Sequence, residues 1–352
     1  MLTHPGLVCA VGLNAAAACA ARRAGIAGFA ELPYRDSSGE PIVGAAVPGL
    51  PPDLKRDERL LALLEVALQD SLKSAAFVRT DAIPLLIGLA ESDRPGGGDT
   101  LAGDLIPRLQ KKLNRRFHPD LSRCLARGHT AGFELLQVAR EILQDPTVPA
   151  CLVAAVDSFV NAASLDWLDK HGRLKTLDNS EGVIPGEAAA AVVVQRPNGQ
   201  KPLLAAEVAG LGFGKEEANL LNDEPLRGLG LAAAAKAALA EAAIEMHQVD
   251  FRLSDVSGES YGFKEQTLLL GRLMRQRRPE LPLWHAADCI GDTGAAAGIC
   301  HCIVAASAWH KKYSPGPIAA CFGSAVPGER AVAILRRPNA GDLRSATAEA
   351  PT

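Results

Sequence analysis

The stretch PGEAAAAVVVQRP, residues 185–197, returns near the end of the chain as PGERAVAILRRP, residues 327–338. In both copies a Pro-Gly-Glu turn leads into an apolar run that ends at Arg-Pro. A turn followed by a short apolar run predicts a hairpin and a buried strand. One such match could arise by chance, so the surrounding sequence decides whether the two stretches mark a repeated unit.

The segments before the two copies follow the same order. An apolar run precedes each turn, at residues 149–156 and 317–325, and a helical pattern precedes each run. Before each helix stands a Gly-X-Thr turn, in ARGHTAGFELLQVAREIL (126–143) and in CIGDTGAAAGICHCIVAASAW (289–309). The repeated order of turn, helix, strand, hairpin and strand predicts a duplicated unit with a pseudo-two-fold axis. Such an axis would bring the two helix starts face to face.

Apolar runs alternate with helical patterns along the chain, and this alternation predicts an α/β protein whose sheets are covered by helices. We expect an N-terminal half over residues 1–200 and a C-terminal half over 201–338. The stretch 339–352 lacks periodicity and is predicted to be a disordered tail. Residues 39–55 are predicted to form a surface loop, and residues 91–100 a glycine-rich connection.

Composition excludes several classes of function. The chain has 352 residues, a formal charge of -3 and 4% aromatic residues, which does not fit a nucleic-acid-binding protein. No apolar segment is long enough to span a bilayer, so we expect a cytoplasmic protein without membrane contact. The eight cysteines lack C-x-x-C spacing. We therefore expect reduced thiols, and the run Cys300-His301-Cys302 is interpreted as structural rather than as a metal site.

Four motifs carry a resemblance to the thiolase superfamily, and within it to the β-ketoacyl synthases. They are ACLVAAVDSFV (150–160), LDNSEGVIPGEAAAAVVV (177–194), AADCIGDTGAAAG (286–298) and CFGSAVPGE (321–329). The resemblance covers nearly the whole chain. It implies a duplicated, five-layered α-β-α-β-α fold, which agrees with the repeat found independently in the sequence.

The resemblance also implies the positions of a catalytic set. Active members of the family carry a cysteine nucleophile at the start of the buried helix in the first half, where the helix amino end stabilises a thiolate. Two histidines from the second half complete their site. In this chain the nucleophile position falls on His129, the first histidine on Ser257 and the second on Asp292. Glu265 matches an acidic position eight residues after the first histidine, and its role is open.

Two other catalytic interpretations stand beside this one. His129, Ser257 and Asp292 have the residue types of a nucleophilic triad, but Ser257 lies in no Gly-X-Ser-X-Gly elbow. Cys124 is the thiol near the first helix start, but it lies five residues before His129, outside the reach of the helix dipole. We therefore interpret Cys124 as structural and expect no catalytic residue.

The same positions have structural interpretations. Asp292 and Thr293 are expected to be N-cap residues of the second helix, as Thr130 stands beside His129 in the first. Ser257 precedes Gly258 as an ordinary turn residue. A helix amino end favours neutral histidine, so we expect a neutral His129 that hydrogen-bonds an ionised Asp292 across the axis.

These observations predict a non-catalytic thiolase-fold protein that binds another protein. The resemblance extends to thiolase-like accessory proteins of type VI secretion, which implies an adaptor or chaperone role toward an effector. The alternatives are an acyltransferase with an atypical site, a module that binds an acyl or pantetheine group, and a partner subunit of an active ketosynthase. We expect a homodimer or a heterodimer with a related chain, and no metal or cofactor.

Overall fold

The computed structural model of the chain describes residues 1–75, 80–95, 103–197 and 204–338. The predicted tail over 339–352 lies outside these residues, and so does the second half of the stretch 91–100. Within the described residues, ten strands form one continuous sheet and two more form a separate hairpin.

The strands are β1 (Leu2–Cys9), β2 (Ala30–Arg35), β3 (Pro41–Gly44), β4 (Leu85–Leu89), β5 (Arg123–Ala126), β6 (Ala150–Ser158), β7 (Glu187–Gln195), β8 (Ala205–Lys215), β9 (Phe251–Ser254), β10 (Leu283–His285), β11 (Ile318–Ser324) and β12 (Glu329–Arg336). The α-helices are α1 (Ala15–Arg23), α2 (Arg56–Ala75), α3 (Leu105–Leu113), α4 (Ala131–Ile142), α5 (Ala162–Lys170), α6 (Leu229–Glu241), α7 (Ser260–Leu273), α8 (Ala287–Ile290) and α9 (Ala297–His310). Short 3-10 turns at Gly128–Thr130 and Gly294–Ala296 lead directly into α4 and α9.

The order of the strands in the main sheet shows the duplication. Outward from its centre, the first half runs β1, β7, β6, β4, β5 and the second half runs β8, β12, β11, β9, β10. In both halves the inner strands pair antiparallel and the outer three pair parallel. The halves meet where β1 pairs with β8, at Leu2–Ala206 and Thr3–Ala205. The two Pro-Gly-Glu stretches lead into β7 and β12, which occupy equivalent places.

Three apolar cores divide the molecule into five layers. One core joins α4 and α9 to the inner faces of both sheet halves. A second lies between the first half and α2 and α3, and a third between the second half and α6 and α7. The layers are therefore helices, first half, α4 with α9, second half and helices. This is the α-β-α-β-α arrangement that the sequence predicts.

The prediction of a loop over residues 39–55 is wrong in part. Pro41–Gly44 form strand β3, which pairs with β2. Ile42 from this hairpin and Leu32 from β2 are buried in a small core with residues of α5. These residues form a hairpin instead of a loop because burial of their apolar side chains stabilises the hairpin.

Strand β8 and helix α6 pack unusually closely. Gly210, Gly212 and Gly214 alternate along β8, so all three face α6. A Cβ atom at Gly212 would lie 2.0 Å from the carbonyl oxygen of Ala234. The alanine-rich surface of α6 thus rests directly on the strand backbone, and only glycine fits between them.

We expect Gly212→Ala to lower the free energy of unfolding by about 2–3 kcal/mol, because the new methyl group would force α6 away from β8. Chemical denaturation of both proteins measures the change. Gly271→Ala on α7 is the matched control, since a Cβ there meets nothing within 4 Å; it should raise stability by about 0.5–1 kcal/mol. Equal stability of Gly212→Ala and wild type would contradict the packing described.

Candidate functional site at the helix starts

Helices α4 and α9 lie against each other at the centre of the molecule. Their closest approach involves two glycines, one near the start of each helix. A Cβ at Gly132 would lie 3.0 Å from the Ile299 side chain, and a Cβ at Gly298 would lie 3.0 Å from the Phe133 ring. Because neither glycine carries a side chain, the helices pack closely and their starts meet, as the repeat predicts.

The two Gly-X-Thr turns are not equivalent positions, which corrects the sequence prediction. The turn before α4 begins at Gly128, and the turn before α9 begins at Gly294, three residues after Gly291. Both Gly128 and Gly294 have positive φ, at 55° and 50°. The counterpart of His129 is therefore Ala295. Asp292 lies earlier, in the segment before the second turn, where it forms a β-bridge with Pro185.

His129, Asp292 and Ser257 nevertheless meet in one place. The Nε2 atom of His129 lies 2.9 Å from Oδ1 of Asp292, which confirms the predicted hydrogen bond. The hydroxyl of Ser257 donates to Oδ2 of the same carboxylate at 3.4 Å, a long contact. Asp292 thus stands between the other two residues. Ser257 has no contact with His129 that would pair a nucleophile with a base.

The charge state of His129 differs from the sequence prediction. Burial by itself would lower the pKa of His129, but the carboxylates of Asp292 and Glu91 outweigh burial and hold it well above its ordinary value of 6.5. Burial likewise opposes ionisation of Asp292, yet the His129 cation and the N–H of Gly294 bring its pKa down to about 2. The expected neutral histidine is therefore wrong. The carboxylates around the ring have a larger effect than the helix dipole.

A chain of buried charges continues behind this ion pair. Oε1 of Glu91 lies 3.9 Å from Nδ1 of His129, and Oε2 lies 3.7 Å from Nη1 of Arg94. The Arg94 guanidinium pairs in turn with Asp157. Burial alone would raise the pKa of Glu91, but His129 and Arg94 lower it to about 2. Three carboxylates and two cations therefore alternate along this chain.

The carboxylates also bind the backbone of the helix starts. Oδ2 of Asp157 accepts from the N–H of Ala295 at 3.0 Å, and Oδ1 of Asp292 accepts from the N–H of Gly294 at 2.8 Å. Glu91 lies so close to Gly128 that a Cβ there would lie 1.9 Å from Oε1. Two carboxylates thus bind the start of α9, and the Glu91 carboxylate lies beside the start of α4 without a hydrogen bond to it.

The remaining predicted residues have structural contacts. The Thr130 hydroxyl donates to Glu134 at 2.8 Å. Thr293 occupies the N-cap position of the turn before α9, as predicted, but its side chain makes no capping hydrogen bond, and the carboxylates of Asp292 and Asp157 accept from that turn instead. Glu265 accepts from Nε of buried Arg330 at 2.7 Å and from Ser324 at 3.2 Å. This pair joins α7 to β12.

Cys124 lies in β5 and packs against the outer core that contains α2. Burial raises the pKa of its thiol to about 11, so it carries no thiolate near neutral pH. The run Cys300-His301-Cys302 lies in α9, and all three side chains are buried. Within the described ranges, no three His, Cys, Asp or Glu side chains are placed to share a metal ion.

The cavity that reaches His129 and Asp292 is small. Its volume is about 40 Å³, and its wall includes Ser257, Asp255 and Arg173. Sites for small-molecule ligands usually have ~300–1,000 Å³. This cavity has room for about one or two water molecules and none for an acyl chain.

Sequence reasoning missed Glu91, Arg94, Asp157 and Asp255 as members of the site. A signal for them was present, because each lies at or after the carboxyl end of a parallel strand: Glu91 and Arg94 after β4, Asp157 as the second-last residue of β6, and Asp255 after β9. Carboxyl ends of parallel strands meet at one edge of a sheet, where α/β proteins place their sites. Charged residues that follow apolar runs in the sequence therefore indicate a site at this edge of the sheet.

Comparisons with known proteins establish the fold. The chain superposes on a ketosynthase in complex with its chain length factor from Xenorhabdus doucetiae with a TM-score of 0.75, at 16% identity over 96% of this chain and 97% of that one. It superposes on a type II PKS acyl-carrier protein in complex with its ketosynthase bound to the hexaketide, with a TM-score of 0.78, at 16% identity over 96% of this chain and 98% of that one. A ketosynthase of the bacillaene synthase from Bacillus subtilis 168 gives 0.76, at 11% identity over 96% and 72%.

The protein therefore has the thiolase-like fold of ketosynthases. No protein-family model and no curated protein sequence matches the chain. At these identities the similarity covers architecture only, so the function is argued from the site. In the part of the chain that the structure describes, no helix has the length and apolar character needed to cross a bilayer.

We expect His129→Gln to destabilise the protein by about 3–5 kcal/mol near pH 5–6, because the buried carboxylates lose their cation. The folded-state pKa of His129 lies above its ordinary value of 6.5, so the stabilisation is complete below pH 6.5 and is lost as pH rises through the folded-state pKa. It also weakens toward pH 2, where Asp292 protonates. Denaturant unfolding of both proteins between pH 4 and pH 10 should show the difference narrow at high pH.

His171→Gln is the control for this experiment, since His171 is an exposed histidine on the surface. It should leave the pH dependence of stability as in wild type. A difference between wild type and His129→Gln that stays constant over the whole pH range would show that folding does not raise the pKa of His129, and a difference that shrinks as pH falls below 6.5 would show that His129 is uncharged in the folded protein.

Proposed function

We propose that this chain is a ketosynthase-fold protein that has lost condensing activity and acts by binding another protein. One observation carries the proposal: at the position that the resemblance assigns to the nucleophile, His129 forms a buried ion pair with Asp292 at 2.9 Å. The resemblance assigns Asp292 itself to the position of a catalytic histidine. The two residues therefore satisfy each other where a thiolate and an imidazole would have to act on substrate.

The surroundings support the same conclusion. None of the eight cysteines lies at residues 128–131 or 294–297, where a helix start could activate a thiol. A nucleophilic role for Ser257 needs a base, but its hydroxyl faces the carboxylate of Asp292, whose pKa of about 2 makes it a weak base. The 40 Å³ cavity leaves no space for an acyl group beside these residues.

The free edge of the first sheet half supports a protein partner. Strand β5 is the last strand on that side and pairs only with β4 within the described residues. Its residues are exposed or half-buried, so its outward main-chain groups are available to a strand of another chain. Several similar structures are ketosynthases in complex with a chain length factor or an acyl-carrier protein, which supports a related chain as the partner class.

The role of adaptor or chaperone toward a type VI secretion effector is the finer form of this proposal. It rests on the sequence resemblance, whereas the structural similarities support only the ketosynthase fold. Either partner would bind a protein that has the ketosynthase fold but no condensing activity. Co-purification followed by identification of the bound protein separates a ketosynthase-like chain from an effector.

We expect the purified protein to release no carbon dioxide from a malonyl thioester and to form no acyl-enzyme, because no thiolate faces the site. Mass spectrometry of the intact protein and a decarboxylation assay measure these two steps. His129→Ala should behave like wild type in both assays. Turnover by wild type that His129→Ala abolishes would establish an atypical acyltransferase instead.

We expect the tagged protein to retain one partner at fixed stoichiometry, and Arg123→Cys at the exposed start of β5 to form a cross-link to that partner. Lys236→Cys on the exposed face of α6 is the matched control and should form none, since α6 covers the outer face of the other half. The absence of any retained partner, or equal cross-linking at both positions, would refute binding through β5.

A further inference from the structure

A groove runs between α1 and the second half of α9, on a different part of the molecule from the buried charges. Its volume is about 360 Å³, and sites for small-molecule ligands usually have ~300–1,000 Å³. On α9 its lining begins at Ile303 and continues past the end of the helix to Tyr313. None of its lining residues also lines the cavity at His129 and Asp292. We call it the α1–α9 groove.

The wall of the α1–α9 groove is mainly apolar. On α1 the lining residues recur at positions 15, 16, 19, 20 and 23, which is the spacing of one helix face. Ile303 of α9 and Leu204, which lies just before β8, complete the apolar wall. Apolar surface of this kind is more stable when it is removed from water, so the groove favours an occupant with an apolar part.

The charged side chains that line the groove are all basic. They are Arg23, His310 and Lys311, and no Asp or Glu is among the described residues of the wall. Neither Arg23 nor Lys311 forms an ion pair within the described part of the chain. The Arg23 guanidinium lies over Tyr313, with 4.7 Å between Cζ and the ring centre, and this contact holds it beside the end of α9. The unpaired positive charges therefore gather at one end of the groove.

The basic residues by themselves have a structural explanation. Arg23 is the last residue of α1 and Lys311 follows the last residue of α9, where cations stabilise the negative end of a helix. That role does not require an apolar groove between the two helix ends. The apolar face of α1 extends from Ala15 to Arg23, about 12 Å along the helix axis. A long apolar wall that ends at unpaired cations matches a ligand with an extended apolar tail and an anionic head.

We propose that the α1–α9 groove binds a free fatty acid of medium chain length. The alkyl chain lies against Ile303, Leu204 and the apolar face of α1, and the carboxylate accepts hydrogen bonds from Arg23 and Lys311. This inference is independent of the proposed function, because it uses neither the protein partner nor the loss of condensing activity.

Calorimetric titration of the purified protein with decanoate tests the proposal. Decanoate should bind at one site per chain, and affinity should rise about fourfold for each methylene added between hexanoate and decanoate. Decyltrimethylammonium has the same tail with the opposite charge, and propionate has the same head with almost no tail, so both should bind at least about tenfold more weakly than decanoate. Absence of saturable decanoate binding up to about 1 mM would overturn the proposal, as would equal affinity for decyltrimethylammonium.

Two alanines on α1 locate the tail. Ala20→Trp places a large side chain in the groove from an exposed position, and it should abolish decanoate binding while the protein stays folded. Ala17→Trp is the matched control, because Ala17 is an exposed alanine of the same helix that does not line the groove; it should bind decanoate as wild type does. Undiminished binding by Ala20→Trp would place the ligand elsewhere and overturn the proposal.

Two neighbouring lysines locate the head. Lys311→Gln should weaken decanoate binding about two- to fivefold, the usual size of an exposed ion pair. Lys312→Gln removes the same charge from an exposed lysine that does not line the groove, and it should bind decanoate as wild type does. Equal affinities of the two variants would contradict the placement of the carboxylate.

Discussion

The close packing of α4 against α9 is the constraint on which the rest of the structure depends. Gly132 and Gly298 leave no side chain between the helices, so the two starts meet where the sheet halves enclose them. Helix α9 is buried almost throughout, which explains why its sequence is apolar, whereas α4 buries one face and exposes polar residues such as Arg140 and Glu141 on the other. Once the starts meet, two sets of unsatisfied N–H groups face one small volume. The carboxylates of Asp292 and Asp157 bind the N–H groups at the start of α9, and these carboxylates in turn require cations of their own.

The charged residues at the centre depend on one another as a group, so their ion pairs are not independent. His129 is cationic because Asp292 and Glu91 surround it, and both carboxylates stay ionised because His129 is cationic. Burial opposes every one of these charges, so each depends on the others. In a ketosynthase-like scaffold the same place would have to admit a substrate and its carbonyl. Here it contains an ion pair and room for about one or two water molecules.

Much of the fold could be predicted from the sequence, because burial leaves regular patterns. The apolar runs at 149–156 and 317–325 correspond to β6 and β11, and the repeated Pro-Gly-Glu stretches lead into β7 and β12. The residues of the functional site were harder to predict from the sequence. The matching Gly-X-Thr motifs equated Asp292 with His129, whereas the backbone places Ala295 there, and Asp292 lies before the second turn in a β-bridge with Pro185. The charge on His129 could not be read locally either, since Glu91 lies 38 positions away in the sequence and Asp292 lies 163 away.

The alternating charges have a consequence for how such a protein can change over time. A thiol introduced at position 129 would stand among the carboxylates of Glu91 and Asp292, which disfavour the thiolate that catalysis requires. A histidine at position 292 would in turn remove the hydrogen-bond acceptor of Gly294. Each single substitution is therefore unfavourable while the other members of the network are unchanged. The buried charges thus constrain one another, and a new chemistry at this place requires several positions to change together.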